Sequence, residues 1–195
     1  MPDPRKIAEP CHAARALRPA CLATAMSLLW GLCAAPAWSE TRAVSAGRFE
    51  SWFEATVAAT PAEVFKAMIE PPRWWSPKHT WSGDAANLHL DAVAGGCWCE
   101  TWGDGNSVQH ARVLKVLPGR MLLLQGSLGP LQELPVTGVL KLETRIEGGQ
   151  TRLHMSYQVA GPAELALDQW APVVDGVIGE QFTRLRAIVD SGAGR

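Results

Sequence analysis

At 195 residues, 47% of them hydrophobic and 19% charged, the chain is long enough for one domain with a substantial core. A formal net charge of −1, with no basic run or stripe, gives it no means of holding a phosphate backbone, so nucleic acid is excluded as a partner. No Gly-x-Ser-x-Gly elbow, phosphate loop, dinucleotide fingerprint or His-Glu-x-x-His occurs, which sets aside the common hydrolases and nucleotide enzymes and implies no cofactor.

Residues 1–39 read as an export signal. Arg5, Lys6, Arg15 and Arg18 form a positive flank, and Ala20 to Ala35 carries no charge. Ala35-Pro36-Ala37 and Ala37-Trp38-Ser39 both place small residues at the −3 and −1 positions of a cleavage site. The apolar run is shorter than the ~20 residues of a spanning helix. Cleavage after Ala37 or Ser39 predicts a periplasmic or secreted product; an uncleaved segment would instead anchor the protein, the one membrane contact expected. Leu32 before Cys33 does not suit a lipoprotein signal. Cys11, Cys21 and Cys33 fall in the leader, so only Cys97 and Cys99 remain and no disulfide framework exists. Residues 40–47 read as a short linker, 48–190 as the domain and 191–195 as a tail.

Arg48 to Ala59 alternates, with Phe49, Phe53, Ala55 and Val57 on one face, and reads as a strand. Thr60-Pro61-Ala62-Glu63 is a helix start, with Thr60 at the N-cap and Glu63 closing a capping box, and Pro71-Pro72 stops that helix. Strands follow near 87–93, 96–102, 107–117, 120–126, 136–147 and 150–160. Gly95-Gly96, Gly103 to Asn106, Pro118-Gly119 and Gly148-Gly149 punctuate them into an antiparallel meander. Within Ala163 to Val189, Trp170, Val173, Val174, Val177, Ile178, Phe182, Leu185, Ile188 and Val189 recur at three- and four-residue steps, which predicts one long amphipathic helix. The fold class is α+β: a curved antiparallel sheet wrapped around a long C-terminal helix.

This order of elements resembles the START-like, or SRPBCC, helix-grip superfamily across about residues 48–190. The resemblance rests on Thr60 to Phe65, Pro72-Arg73-Trp74-Trp75, Gly95-Gly96 before a strand, and Val113 to Pro118 followed by Gly119-Arg120-Met121-Leu122. It is nearest to the activator-of-heat-shock-ATPase-type and polyketide-cyclase-like members. It implies a cavity between sheet and helix that binds lipids, hormones or polyketides. A co-chaperone role does not suit an exported chain, and no recognisable acid/base pair marks a cyclase site. The expected partner is therefore an apolar small molecule or lipid. A cyclase- or isomerase-like enzyme in the same cavity, or a thiol- or metal-binding protein, is the alternative.

The residues expected to meet such a ligand are Trp74, Trp75 and Trp81 at the cavity mouth, Tyr157 on the last strand, and Val174, Ile178, Gln181 and Phe182 on the helix. Gly126 to Gln132 either folds over the pocket or connects strands. In Cys97-Trp98-Cys99-Glu100 the two cysteines share one face of a strand. A four-residue loop at Gly103–Asn106 would set Cys99 opposite His110 and Cys97 opposite Arg112. Three readings stand for these residues. The first is separate thiols packed in the sheet. The second is a Cys97–Cys99 bridge, strained at the ~6.6 Å Cα spacing of an extended chain. The third is a soft-metal site of Cys97, Cys99 and His110, which lacks a fourth ligand.

Overall fold

The computed structural model describes residues 38–192. Its sheet comprises β1 (Trp38–Ser45), β2 (Arg48–Val57), β3 (Leu88–Leu90), β4 (Cys97–Trp102), β5 (Asn106–Leu117), β6 (Met121–Gln125), β7 (Thr137–Glu147) and β8 (Gln150–Ala160). All neighbours are antiparallel, in the order β1-β2-β8-β7-β6-β5-β4-β3. The crossover from β2 to β3 carries two short helices, α1 (Pro61–Met68) and α2 (Pro71–Trp74), and α3 (Leu167–Asp190) closes the chain. The sheet is curved and α3 packs on β1, β2 and β8.

The period-two pattern decides which face is buried. Phe49, Phe53, Ala55 and Val57 of β2, Leu140 and Leu142 of β7, and Leu153, Met155, Tyr157 and Val159 of β8 are all buried on the inner face. Helix α3 lays Ala171, Ile178, Phe182, Leu185 and Val189 against them. Phe182 stacks on Phe53 with ring centroids 5.6 Å apart, a pairing worth ~0.5–1.5 kcal/mol beyond its buried area. Gly179 permits that approach, since a Cβ there would stand 3.0 Å from the Phe53 ring. The middle of the wedge is thus solid. Val173, expected on the buried stripe, is instead 68% exposed.

Helix α1 starts as its sequence dictates. The Thr60 amide donates to Glu63 Oε2 at 2.8 Å, and the Glu63 amide donates to Thr60 Oγ1 at 3.3 Å. Thr60→Ala is expected to cost about 1 kcal/mol, read as a lower urea midpoint with an unchanged m-value.

Three expectations are corrected. Residues 40–47 are not a linker: most of them belong to β1, which pairs with β2 from Trp38↔Glu54 to Arg42↔Glu50. The Arg42 guanidinium sits 3.9 Å above the Trp52 ring on that pairing. The β4–β5 connection is one residue shorter than expected, because Trp102 pairs with Asn106 rather than Ser107. Gly103 (φ +53°) and Gly105 (φ +83°) supply the left-handed positions this tight loop needs. A bulge then inserts His110 as an extra residue of β5: Cys99 pairs with Gln109, Trp98 with Ala111, and Cys97 regains its expected partner Arg112. Apart from Trp38 and Ser39, which begin β1, the export segment lies outside the described residues. Among the described residues no helix is long and apolar enough to cross a membrane.

Candidate functional site: an apolar cavity beside the C-terminal helix

A cavity of ≈ 350 Å³ opens at one end of the wedge between sheet and helix. Trp170, Val173, Val174, Val177 and Ile178 of α3 form one wall. Trp75 and the segment Lys78–Trp81 form the second, and Leu128–Leu131 the third. The sheet contributes Tyr157. Five of the expected ligand residues (Trp75, Trp81, Tyr157, Val174 and Ile178) are therefore brought together. The loop from Gly126 to Gln132 does fold onto the cavity, through the 3-10 turn Gly129–Glu133 that buries Leu131.

Trp74, Gln181 and Phe182 are not on the lining, and each has a packing reason. Trp74 Nε1 donates to the Ala67 carbonyl at 3.0 Å, and its ring packs edge-on against Trp75 and tilted against Trp98. Phe182 is spent on Phe53. Gln181, fully buried, accepts the Ser76 amide at 2.7 Å and donates to the Val177 carbonyl at 3.1 Å. It lies one turn beyond Ile178, where the segment after α2 closes down on α3.

That segment is a strap held from two sides. On the helix side, Arg184 Nε donates to the Trp74 carbonyl at 2.8 Å and His79 Nε2 lies 3.1 Å from Glu180 Oε2. The Ser76 hydrogen bond, ahead of the opposing effect of burial, with His79 adding to it, keeps the Glu180 carboxyl below its ordinary pKa. On the sheet side, Glu100 of β4 is fully buried and accepts the Trp81 amide at 3.0 Å, the Ser82 amide at 2.5 Å and His110 Nε2 at 2.9 Å. Burial pushes the Glu100 carboxyl up, yet the Ser82, Trp81 and His110 hydrogen bonds together outweigh it and the pKa is lowered. Burial also lowers His110, against the pull of Glu100.

This Glu100–His110 pair had no sequence signal. Alternation alone sets His110 beside Cys99; only the bulge turns the imidazole to the inner face, 5.5 Å from the Trp98 ring. The Cys97, Cys99 and His110 metal set is thereby taken apart. The two cysteines are not separate thiols either: they are joined as a disulfide with Cα atoms 5.4 Å apart, inside the ordinary range of bridges and shorter than the extended spacing.

Tyr157 holds the third wall. Its hydroxyl accepts the Leu128 amide at 2.8 Å and donates to the Gly126 carbonyl at 3.1 Å. Burial raises its pKa, outweighing the Leu128 hydrogen bond, so it stays a neutral phenol. Tyr157→Phe leaves the Leu128 amide orphaned and is expected to cost about 1–3 kcal/mol. Hydrogen exchange should quicken at residues 126–131.

Solved structures share this architecture. A conserved protein of unknown function from Enterococcus faecalis superposes with a TM-score of 0.53 at 14% identity, over 78% of this chain and 77% of that one. CalU16 from Micromonospora echinospora gives 0.51 at 17%, over 79% and 83%. The di-domain ARO/CYC StfQ from the steffimycin biosynthetic pathway gives 0.50 at 13%, over 77% of this chain and 53% of that one. The fold is a helix grip. No protein-family model and no curated protein matches the sequence. In this helix grip the strap, the 126–131 loop and the first half of α3 make the cavity, while the aromatic core behind it is filled.

Proposed function

We propose that this is a START-like domain that binds an apolar small molecule or lipid in the cavity beside α3. The observation that carries the reading is the lining. Trp75, Leu131 and Ile178 are almost wholly buried around it, and its titratable groups are limited to Lys78, His79 and Tyr157. A volume of ≈ 350 Å³ lies at the small end of the range for small-molecule sites. Burial of apolar ligand surface is worth ~25 cal/mol per Å² before association costs. Native mass spectrometry of protein purified from its own source should find a bound apolar species that organic solvent releases; a bare protein mass in every preparation would count against the reading.

The leader supports placing this activity outside the cytoplasm. N-terminal sequencing of the mature protein is expected to begin just after Ala37 or Ser39, and an intact Met1 in a cytosolic fraction would refute export. A cyclase-like reaction in the same cavity is the second reading. His79, on the lining and 3.1 Å from Glu180, is the group placed to move a proton there. If so, His79→Ala abolishes turnover of a linear polyketone probe while leaving its binding intact; unchanged turnover would reject this reading.

A further inference from the structure

We infer that the Cys97–Cys99 bridge is a redox-active site on the outer face of the sheet, exchanging with a thiol or dithiol partner, and that it acts independently of the cavity. Cys97 and Cys99 are joined across a single intervening residue. A loop that short removes little freedom from the unfolded chain, and β4 is already held by β3 on one side and β5 on the other. The bond is therefore a poor staple, which leaves its chemistry as its distinguishing property.

The site is accessible. Both cysteines are only half-buried, on the face opposite Trp98 and Glu100. His89 pairs with Cys99 across one ladder and Arg112 pairs with Cys97 across the other, and both are exposed. The Arg112 guanidinium reaches back over the turn before Cys97, with Nη2 3.6 Å from the place of a Cβ on Gly95. Asp91, whose amide donates to the Cys97 carbonyl at 2.9 Å, is the acidic neighbour. A cationic side chain on the neighbouring strand favours a thiolate, so Cys97, whose cross-strand partner is Arg112, is the better leaving group.

A partner thiolate attacks Cys99 Sγ, the Sγ–Sγ bond breaks, and Cys97 leaves as a thiolate across the ladder from Arg112. The partner's second thiolate then attacks its own sulfur in the mixed disulfide and releases Cys99. The domain gains two electrons and the two protons of the partner dithiol, and the partner is oxidised to its disulfide.

Full-length protein is incubated with dithiothreitol or glutathione, quenched by acid, alkylated and mapped by mass spectrometry, with circular dichroism in parallel. Dithiothreitol is expected to reduce the bond reversibly with the folded signal intact. Glutathione should be found on Cys99, with Cys97 alkylated. Arg112→Gln should slow reduction roughly threefold, because the departing Cys97 sulfur loses the cation across the ladder; Lys115→Gln, farther along β5, should not. Reduction only on unfolding, glutathione found chiefly on Cys97, or equal rates for Arg112→Gln and wild type would overturn the inference.

Discussion

Glu100→Ala is expected to lower stability by about 3–5 kcal/mol at pH 7, because three donors lose their buried acceptor at about 1–3 kcal/mol each. The carboxylate is fully buried and is the acceptor for two backbone amides and an imidazole. Its removal orphans the Trp81 and Ser82 N–H groups and leaves the imidazole of His110, 3% exposed, without its hydrogen-bond acceptor. Glu100→Gln keeps the shape but turns an amide donor toward donors, and should lose less. Denaturant midpoints give the magnitude. Because Glu100 tethers the strap that carries Trp81 and His79 onto the cavity, ligand affinity should fall with stability in both variants. A loss below 1 kcal/mol for Glu100→Ala would mean that the strap is held chiefly from α3.

The second large effect is acid lability. His154 lies on the outer face of β8, 5% exposed, with its ring 5.1 Å from Trp52 and neither ring nitrogen hydrogen-bonded. Burial first, then the positive charges of Lys141, Arg145 and Arg42, outweigh Glu143 and push its pKa from 6.5 down to about 4. Above pH 6.5 both the folded and unfolded chains hold a neutral imidazole, and the full stability is present. As pH falls toward 4 the unfolded chain takes up a proton that the folded chain refuses, so stability declines. The loss approaches about 3 kcal/mol once pH is below the folded value. His110, also lowered, acts in the same direction. Urea midpoints of wild type should therefore fall between pH 6.5 and 4.5, and His154→Leu should flatten that slope. An unchanged slope in the variant would assign the acid lability to His110 and the carboxylates.

Elements whose signals are local were legible in the sequence. The α1 cap, the meander from β3 to β8 and the α3 stripe follow from capping chemistry, glycine punctuation and periodicity. Strand β1 was hidden because its start overlaps the small residues that read as a cleavage site, and an edge strand needs only one partner. The β4–β5 register was missed because a shorter loop and a compensating bulge cancel. Cys97 still meets Arg112, but His110 changes face between them, and with it the metal reading fails and the Glu100 pair appears. On α3, Val174 and Ile178 line the cavity while Gln181 and Phe182 do not. Where the strap meets the helix is a tertiary fact that a single-helix pattern does not carry.

The proposed apolar ligand sits between the strap, the 126–131 loop and α3. Intrinsic tryptophan fluorescence during titration with a fatty acid and with a polyaromatic probe tests it most directly, since Trp75, Trp81 and Trp170 all face the cavity. Wild type should give a saturable change with at least one probe. Val174→Phe, which adds bulk on the lining without adding a tryptophan, should lose that change while keeping its circular dichroism spectrum. Absence of a saturable change with both probes, or undiminished binding by folded Val174→Phe, would contradict ligand binding in this cavity.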